Sequence, residues 1–258
     1  EVDSEKLLGQ LAVDGYSLTD DADDADLLVV NTCAFIEEAR QESIDTVLGL
    51  ADLKADGARL VVTGCMAERY RDELADALPE VDVVAGFGEV FAVPVAAPVG
   101  TPVAIGRKPV APAVPTFDLL NLPRPRSSRP WAYVKVAEGC DRACGFCAIP
   151  SFRGPQRSRP IDAILAEVDQ LDVKEVVLVA QDLAAFGRDQ GVGERSIIPL
   201  VEAVSQRVTR TRLLYLYPSD LTDGLIDAIC ATGVPYFDLS LQHVSAPLVR
   251  RMRRWGNG

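Results

Sequence analysis

Three thiols within eight residues, in Glu138-Gly139-Cys140-Asp141-Arg142-Ala143-Cys144-Gly145-Phe146-Cys147, constrain this chain more than any other stretch. The cysteines fall four and then three residues apart, a spacing that lets one short loop wrap a single metal centre. Gly139 and Gly145 allow the backbone to turn at positive φ and to approach closely. Structural zinc sites are closed by four ligands, whereas three protein ligands leave a position open for chemistry. A four-iron cluster is usually held by four thiolates, so three would leave one iron free for a small molecule. Half of a zinc site completed elsewhere, or three unrelated thiols, are the plainer alternatives that spacing leaves open.

Ahead of that loop, residues 1–92 read as alternating helix and strand. Ser4 is placed to cap a helix through Leu7, Leu8 and Leu11 that ends near Gly15. The Asp-rich run from Asp20 to Asp26 reads as a solvated turn, because it lacks the glycine and closing glutamate of a calcium loop. Leu27-Leu28-Val29-Val30-Asn31-Thr32 is apolar enough for a buried parallel strand. A helix from Ile36 to about Lys54, a strand Leu60–Thr63, a helix Met66–Leu78 and a strand Val81–Val84 complete a doubly wound parallel sheet. Ligands of such sheets gather beyond the carboxyl ends of the strands. Cys33 and Cys65 each sit there, just past a strand and ahead of a helix. One thiol in such a place is ordinarily a packing residue; two at equivalent strand ends are candidate metal ligands.

Nine of the 17 prolines lie between Phe91 and Pro130, so residues 93–128 read as a semi-rigid linker. From 129 to 258 strand and helix alternate again. Strands are expected at 132–137, Val176–Val179, Leu213–Tyr217 and Tyr236–Leu241, with helices at Ile161–Leu171, Ile197–Val208, Leu221–Ala231 and Pro247–Arg254. Four such units predict a (β/α) barrel, complete or partial. The cysteine loop, Gln181-Asp182, Tyr217-Pro218-Ser219-Asp220 and Gln242-His243 all follow strands, where a barrel places its chemistry. Cys230, inside a helix with no nearby thiol, is expected to be a buried core residue.

Composition narrows the function classes. At 48% hydrophobic and 25% charged residues, the 258-residue chain has the make-up of a globular protein. No apolar run approaches the length that spans a bilayer. A net charge of −12 weighs against a phosphate-gripping surface. The one histidine, His243, excludes a histidine-rich zinc site and reads as a strand-end structural residue. Six cysteines, clustered rather than spread, fit metal binding in a reducing compartment, hence a cytoplasmic protein. The start at Glu1 and the stop soon after a helix-like run read as a piece of a longer chain.

With both cysteine sets placed, the chain resembles the methylthiotransferases of the radical S-adenosylmethionine superfamily. The resemblance rests on Cys-x3-Cys-x2-Cys with Phe146 before the third cysteine, and on strand-like Trp131-Ala132-Tyr133-Val134-Lys135-Val136 ahead of it. Within that family, Asn31-Thr32-Cys33-Ala34-Phe35-Ile36-Glu37 with Gln41-Glu42-Ser43 is similar to the RimO branch, which modifies a ribosomal protein. So are Ala148-Ile149-Pro150-Ser151-Phe152-Arg153-Gly154 and Tyr236-Phe237-Asp238-Leu239-Ser240-Leu241-Gln242-His243. The MiaB-like branch, which modifies transfer RNA, differs in both segments.

The resemblance implies a radical barrel as the second domain, two [4Fe-4S] clusters and S-adenosyl-L-methionine. Cys140, Cys144 and Cys147 would ligate the barrel cluster, and Cys33 and Cys65 would be two of three ligands of an auxiliary cluster. In the family the third precedes the residues matching Glu1-Val2-Asp3, and further barrel units and a small β-domain follow. Phe146 would pack by the adenine, and Gln181 and Asp182 would contact the methionine part. The activity implied is addition of a methylthio group to the β-carbon of an aspartate in ribosomal protein S12. Transfer RNA modification, or a non-catalytic iron-sulfur or zinc module, are the alternatives. An electron donor of the flavodoxin or ferredoxin type is implied, with no membrane and no direct DNA contact.

Overall fold

In the computed structural model of the chain, residues 1–87, 89, 119–191 and 197–255 are described. They form two compact units, Asp3–Arg124 and Pro125–Gly258 with Glu1–Val2.

The first unit runs α1 (Val2–Val13), β1 (Leu27–Thr32), α2 (Glu37–Leu53), β2 (Arg59–Gly64), α3 (Cys65–Ala77) and β3 (Val83–Val84). Its sheet is parallel throughout in the order β1-β2-β3, with Leu27 opposite Arg59 and Thr32 opposite Gly64. Parallel strands need helical crossovers, and α2 and α3 supply them. Both helices bury their apolar stripes on the face made by Leu28, Val30, Leu60 and Val62, through Val47, Met66, Ala67 and Leu74. Val61 points the other way and is equally buried, so the central strand is covered on both sides, as the apolar sequence of β2 demands.

α1 begins at Val2, so Ser4 lies inside the first turn instead of capping it. Its Oγ accepts a hydrogen bond from Asn31 Nδ2 at 2.9 Å, which occupies the oxygen that a cap would use. Most of the linker expected at 93–128, namely 93–118, lies outside the described residues. Its described end folds against α1. Lys6 is fully buried and its Nζ donates to the carbonyls of Leu120, at 2.8 Å, and Leu122, at 3.2 Å. Arg124 pairs with Glu5, and a Cβ on Gly9 would collide with the Pro123 carbonyl.

The second unit runs β4 (Trp131–Lys135), β5 (Ala137–Glu138), α4 (Ile149–Arg153), β6 (Arg157–Ser158), α5 (Ile161–Leu171), β7 (Glu175–Val179), α6 (Ile197–Ser205), β8 (Arg210–Leu213), α7 (Asp223–Cys230) and α8 (Ala246–Arg251). β4, β7 and β8 form a parallel sheet in that order. Val134, Val176, Leu178 and Leu213 meet Ile164, Val168, Leu200, Val201 and Ile229 of the helices in one core. This is a partial (β/α) barrel. β5 and β6 pair antiparallel across Ala137–Ser158 and Glu138–Arg157.

Three expectations are corrected in this unit. The strand forecast at Leu213–Tyr217 ends at Leu213, because Tyr215 adopts φ +67 and its amide donates to the Asp238 carboxylate at 3.0 Å. The strand forecast at Tyr236–Leu241 is reduced to one parallel bridge, Leu216 to Leu239. Gln242 at φ +68 ends the extended run there. Cys230 is exposed, not buried: it is the last residue of α7 and lies beyond the face carrying Leu225, Ala228 and Ile229.

Candidate metal centre

The cysteine loop is the excursion between β5 and β6, so their pairing closes its neck. Gly139 opens the loop at φ +80 with no room for a side chain, since a Cβ would collide with the Pro155 carbonyl oxygen. The Cys140 amide donates to the Gly154 carbonyl at 3.1 Å, and the Cys147 amide to the Cys144 carbonyl at 3.2 Å. These bonds hold Cys140, Cys144 and Cys147 on one short arc at the carboxyl end of the parallel strands. Cys140 is buried, the other two are half-buried, and all are free thiols. Burial pushes the Cys140 thiol up from its ordinary value. The Arg142 amide, donating to its sulfur, offsets part of this, while Asp182 and the neighbouring Cys147 and Cys144 add to it. The three thiols thus lie on one loop held between β5 and β6.

Arg142, in the spacer between the first two cysteines, ties the loop to the strand ends. Its Nε donates to Asp182 Oδ2 at 2.6 Å beyond β7, and its Nη2 pairs with Asp220 Oδ2 beyond β8. Burial disfavours the guanidinium cation, but Asp182 and Asp220 outweigh it, so its pKa is raised further. Its carbon lies 3.9 Å from the centroid of the Tyr217 ring. Arg254, just past α8, stacks on the same ring at 4.0 Å. Two guanidinium groups therefore contact one ring. Arg254 Nη1 donates to Cys144 Sγ at 3.3 Å, and its Nη2 to the Ser240 carbonyl.

Below the loop, the buried Glu138 carboxylate accepts from Lys135 Nζ at 3.0 Å, Arg153 Nη1 at 2.9 Å and Gln181 Nε2 at 3.1 Å. Several buried polar atoms here have no protein partner: Gln181 Oε1, Asp182 Oδ1 and both ends of the Gln156 side-chain amide. Such atoms cost stability unless something hydrogen-bonds to them. Phe146, on the same loop, is half exposed.

Of the strand-end residues, Asp182, Tyr217 and Asp220 contact Arg142 of the cysteine loop, while Gln181 bonds to Glu138 just ahead of it. Gln242 and His243 do not: both are exposed, and His243 Nδ1 accepts the Ser245 amide at 2.8 Å ahead of α8. Sequence reasoning missed Arg142, Arg254, Glu138 and Gln156. Arg142 carried one readable signal, a charged residue inside the metal-loop spacer.

In the first unit, the pairing of Thr32 with Gly64 sets Cys33 and Cys65 at neighbouring strand ends. Gly64, at φ +96, turns the chain into α3 with Cys65 as its first residue, and the Cys33 amide donates to Ser43 Oγ at 3.2 Å. Among the described residues no three Cys, His, Asp or Glu side chains converge as ligands of a single ion. A [4Fe-4S] cluster makes no such demand, because each thiolate takes a different iron. Nor is any helix of the described residues long and apolar enough to cross a membrane.

Comparison with known proteins matches residues 1–86 to the Uncharacterized protein family UPF0004 and residues 134–258 to the Radical SAM superfamily. A ribosomal protein uS12 methylthiotransferase RimO from Kineococcus radiotolerans is 44% identical over 99% of this chain and 60% of its own length. Proteins of the same name from Geobacter sulfurreducens and Helicobacter pylori are 43% and 40% identical, over 98% of this chain and 58% and 57% of their own lengths. The chain thus spans about three fifths of these relatives. A solved structure of a cobalamin-dependent S-adenosylmethionine radical enzyme, OxsB, superposes with a TM-score of 0.53 at 12% identity. It covers 90% of this chain and 37% of OxsB, and shows likeness of fold.

Proposed function

Because this chain belongs to the radical S-adenosylmethionine methylthiotransferase family, in its RimO-like branch, we propose that the full-length protein adds a methylthio group to an aspartate β-carbon of ribosomal protein S12. The observation that supports this most is that Cys140, Cys144 and Cys147 share one loop held between β5 and β6 at the strand ends, and that Arg142 of this loop bonds Asp182, whose Oδ1 is unpartnered.

Cys140, Cys144 and Cys147 would hold a [4Fe-4S] cluster through three of its irons. When bound, that cluster supplies the electron that cleaves S-adenosyl-L-methionine and so opens an unactivated C–H bond to attack, chemistry that side chains alone do not perform. Asp182 Oδ1 and Gln181 Oε1 would accept hydrogen bonds from the amino group of the methionine part, which supplies the donors these atoms lack. Phe146 would lie against the adenine. Glu138 fixes the Gln181 amide so that its oxygen, not its nitrogen, stays free. Arg142 donates to Asp182 Oδ2 and so orients that carboxylate, joining the loop to the strand end. Cys33 and Cys65 would be two ligands of an auxiliary cluster in the first unit.

The relatives act by name on uS12, which supports the ribosomal protein over transfer RNA as substrate. A cytoplasmic site of action and a flavodoxin- or ferredoxin-type electron donor follow from that reading. Mass spectrometry of S12 from cells with and without the full gene tests it. A methylthio group on one aspartate that disappears with the gene is the expected result; modification of transfer RNA with S12 untouched would overturn it.

A further inference from the structure

We infer that Arg254 is a positioning residue for the barrel cluster: by donating to Cys144 Sγ, it raises the reduction potential of the cluster that the loop holds. The inference rests on the cluster reading above and adds a role for a residue outside the metal-binding loop.

The geometry is specific to one sulfur. Cys144 Sγ receives its hydrogen bond from a charged side chain at 3.3 Å, while Cys140 Sγ receives one from the neutral Arg142 amide at 3.4 Å. Arg254 is held for this on three sides. Its Nη2 is anchored on the Ser240 carbonyl, its plane lies on Tyr217, and Tyr217 Oη accepts the Trp255 amide at 3.0 Å. The Gly145 amide, inside the loop, donates to the Met252 carbonyl at 2.9 Å. The end of α8 and the cysteine loop are thereby fixed to each other independently of the arginine. Arg142 is already matched by two buried carboxylates, Asp182 and Asp220. Arg142 thus commits its charge to carboxylates, with Arg188 sharing Asp220, whereas Arg254 directs Nη1 at sulfur.

Hydrogen bonds to ligating sulfurs are among the factors that set cluster potentials, and partners that bond to a ligand tune the metal through it. On reduction the cluster takes one electron from an external one-electron donor, and part of the added charge resides on the thiolate sulfurs. A cationic N–H donor stabilises that more negative state over the oxidised one. Removing it makes the midpoint more negative.

The test uses the full-length protein in a Cys33→Ala, Cys65→Ala background, so that the barrel cluster alone is loaded. Iron and sulfide are reconstituted anaerobically, and the midpoint is measured by mediator titration with electron paramagnetic resonance for the parent, Arg254→Met and Arg254→Lys. The expected result is equal iron content, a midpoint shifted negative in Arg254→Met, and a smaller shift in Arg254→Lys, whose ammonium keeps the charge without the planar stack. Equal midpoints in all three overturn the inference and leave the cluster reading intact. So does a cluster lost from Arg254→Met and equally from Arg254→Lys, which would make the contact a matter of folding. A parent protein that binds no iron overturns both.

Discussion

Arg142 Nε and Asp182 Oδ2 lie 2.6 Å apart, joining the spacer of the cysteine loop to the turn after β7, 40 positions further along the chain. The Asp182 side chain is 4% exposed. Removing the cation by Arg142→Met strands this carboxylate in the interior, at a cost of about 3 kcal/mol. Urea denaturation is expected to show a lowered midpoint, with Arg142→Lys losing less because a charge remains.

Gly139 and Gly154 provide a matched pair at the two ends of the loop. Both have positive φ, but a Cβ would collide with backbone only at Gly139 and would meet open space at Gly154. Gly154→Ala is expected to cost about 1–3 kcal/mol, because φ +73 with ψ −167 is a conformation essentially reserved for glycine. Gly139→Ala adds the collision and is expected to cost more and to lower the iron retained after reconstitution. Thermal unfolding and iron analysis of the two variants check this.

Lys6 holds the segment 119–124 on α1. Lys6→Met fills the same space without a donor and weakens the satisfaction of two carbonyls, for a loss of about 2 kcal/mol. Limited proteolysis is expected to cut this variant near Leu120 faster than the parent.

Asp82 ties β2 to the turn ahead of β3, accepting from Lys54 Nζ at 2.8 Å and from the Leu60 amide at 2.7 Å. The Lys54 hydrogen bond and then the Leu60 amide hold its carboxyl below the usual carboxylate value, with burial opposing weakly. The unfolded chain takes up this proton at higher pH than the folded one, so the contribution is present above about pH 4 and is lost as pH falls through the lower folded value. Asp82→Asn is expected to be less stable than the parent at neutral pH, and the two stability curves are expected to converge below about pH 4. Exposure of the carboxylate keeps the difference small.

The elements that sequence revealed best are those marked by a continuous apolar run or a regular helical period. β1, β2 and β7 are short apolar runs, and α2, α3 and α5 end within about two residues of where periodicity stops. The Tyr236–Leu241 run has the composition of a strand, yet strand formation depends on a partner along its length, and only Leu216 and Leu239 meet. Cys230 shows the opposite failure: a thiol is usually buried, but the end of α7 turns it outward, and a residue type says nothing of helix phase. At the candidate site, the thiols and the strand-end pair Gln181-Asp182 were legible because their meaning is local. Arg142 and Arg254 were not. Their meaning comes from Asp182, Asp220, Tyr217 and Cys144, up to 110 residues away, and an arginine in a loop is by itself a solvated surface residue.

The antiparallel pairing of β5 with β6 means that the thiol-bearing segment departs from and rejoins the barrel at a single doorway two residues wide. The register of β4 against β7, from Trp131 opposite Glu175 to Lys135 opposite Val179, is set wholly outside residues 139–156. The metal-holding segment therefore meets the strand frame at this neck and through the Arg142 ion pairs, and not through the sheet ladder.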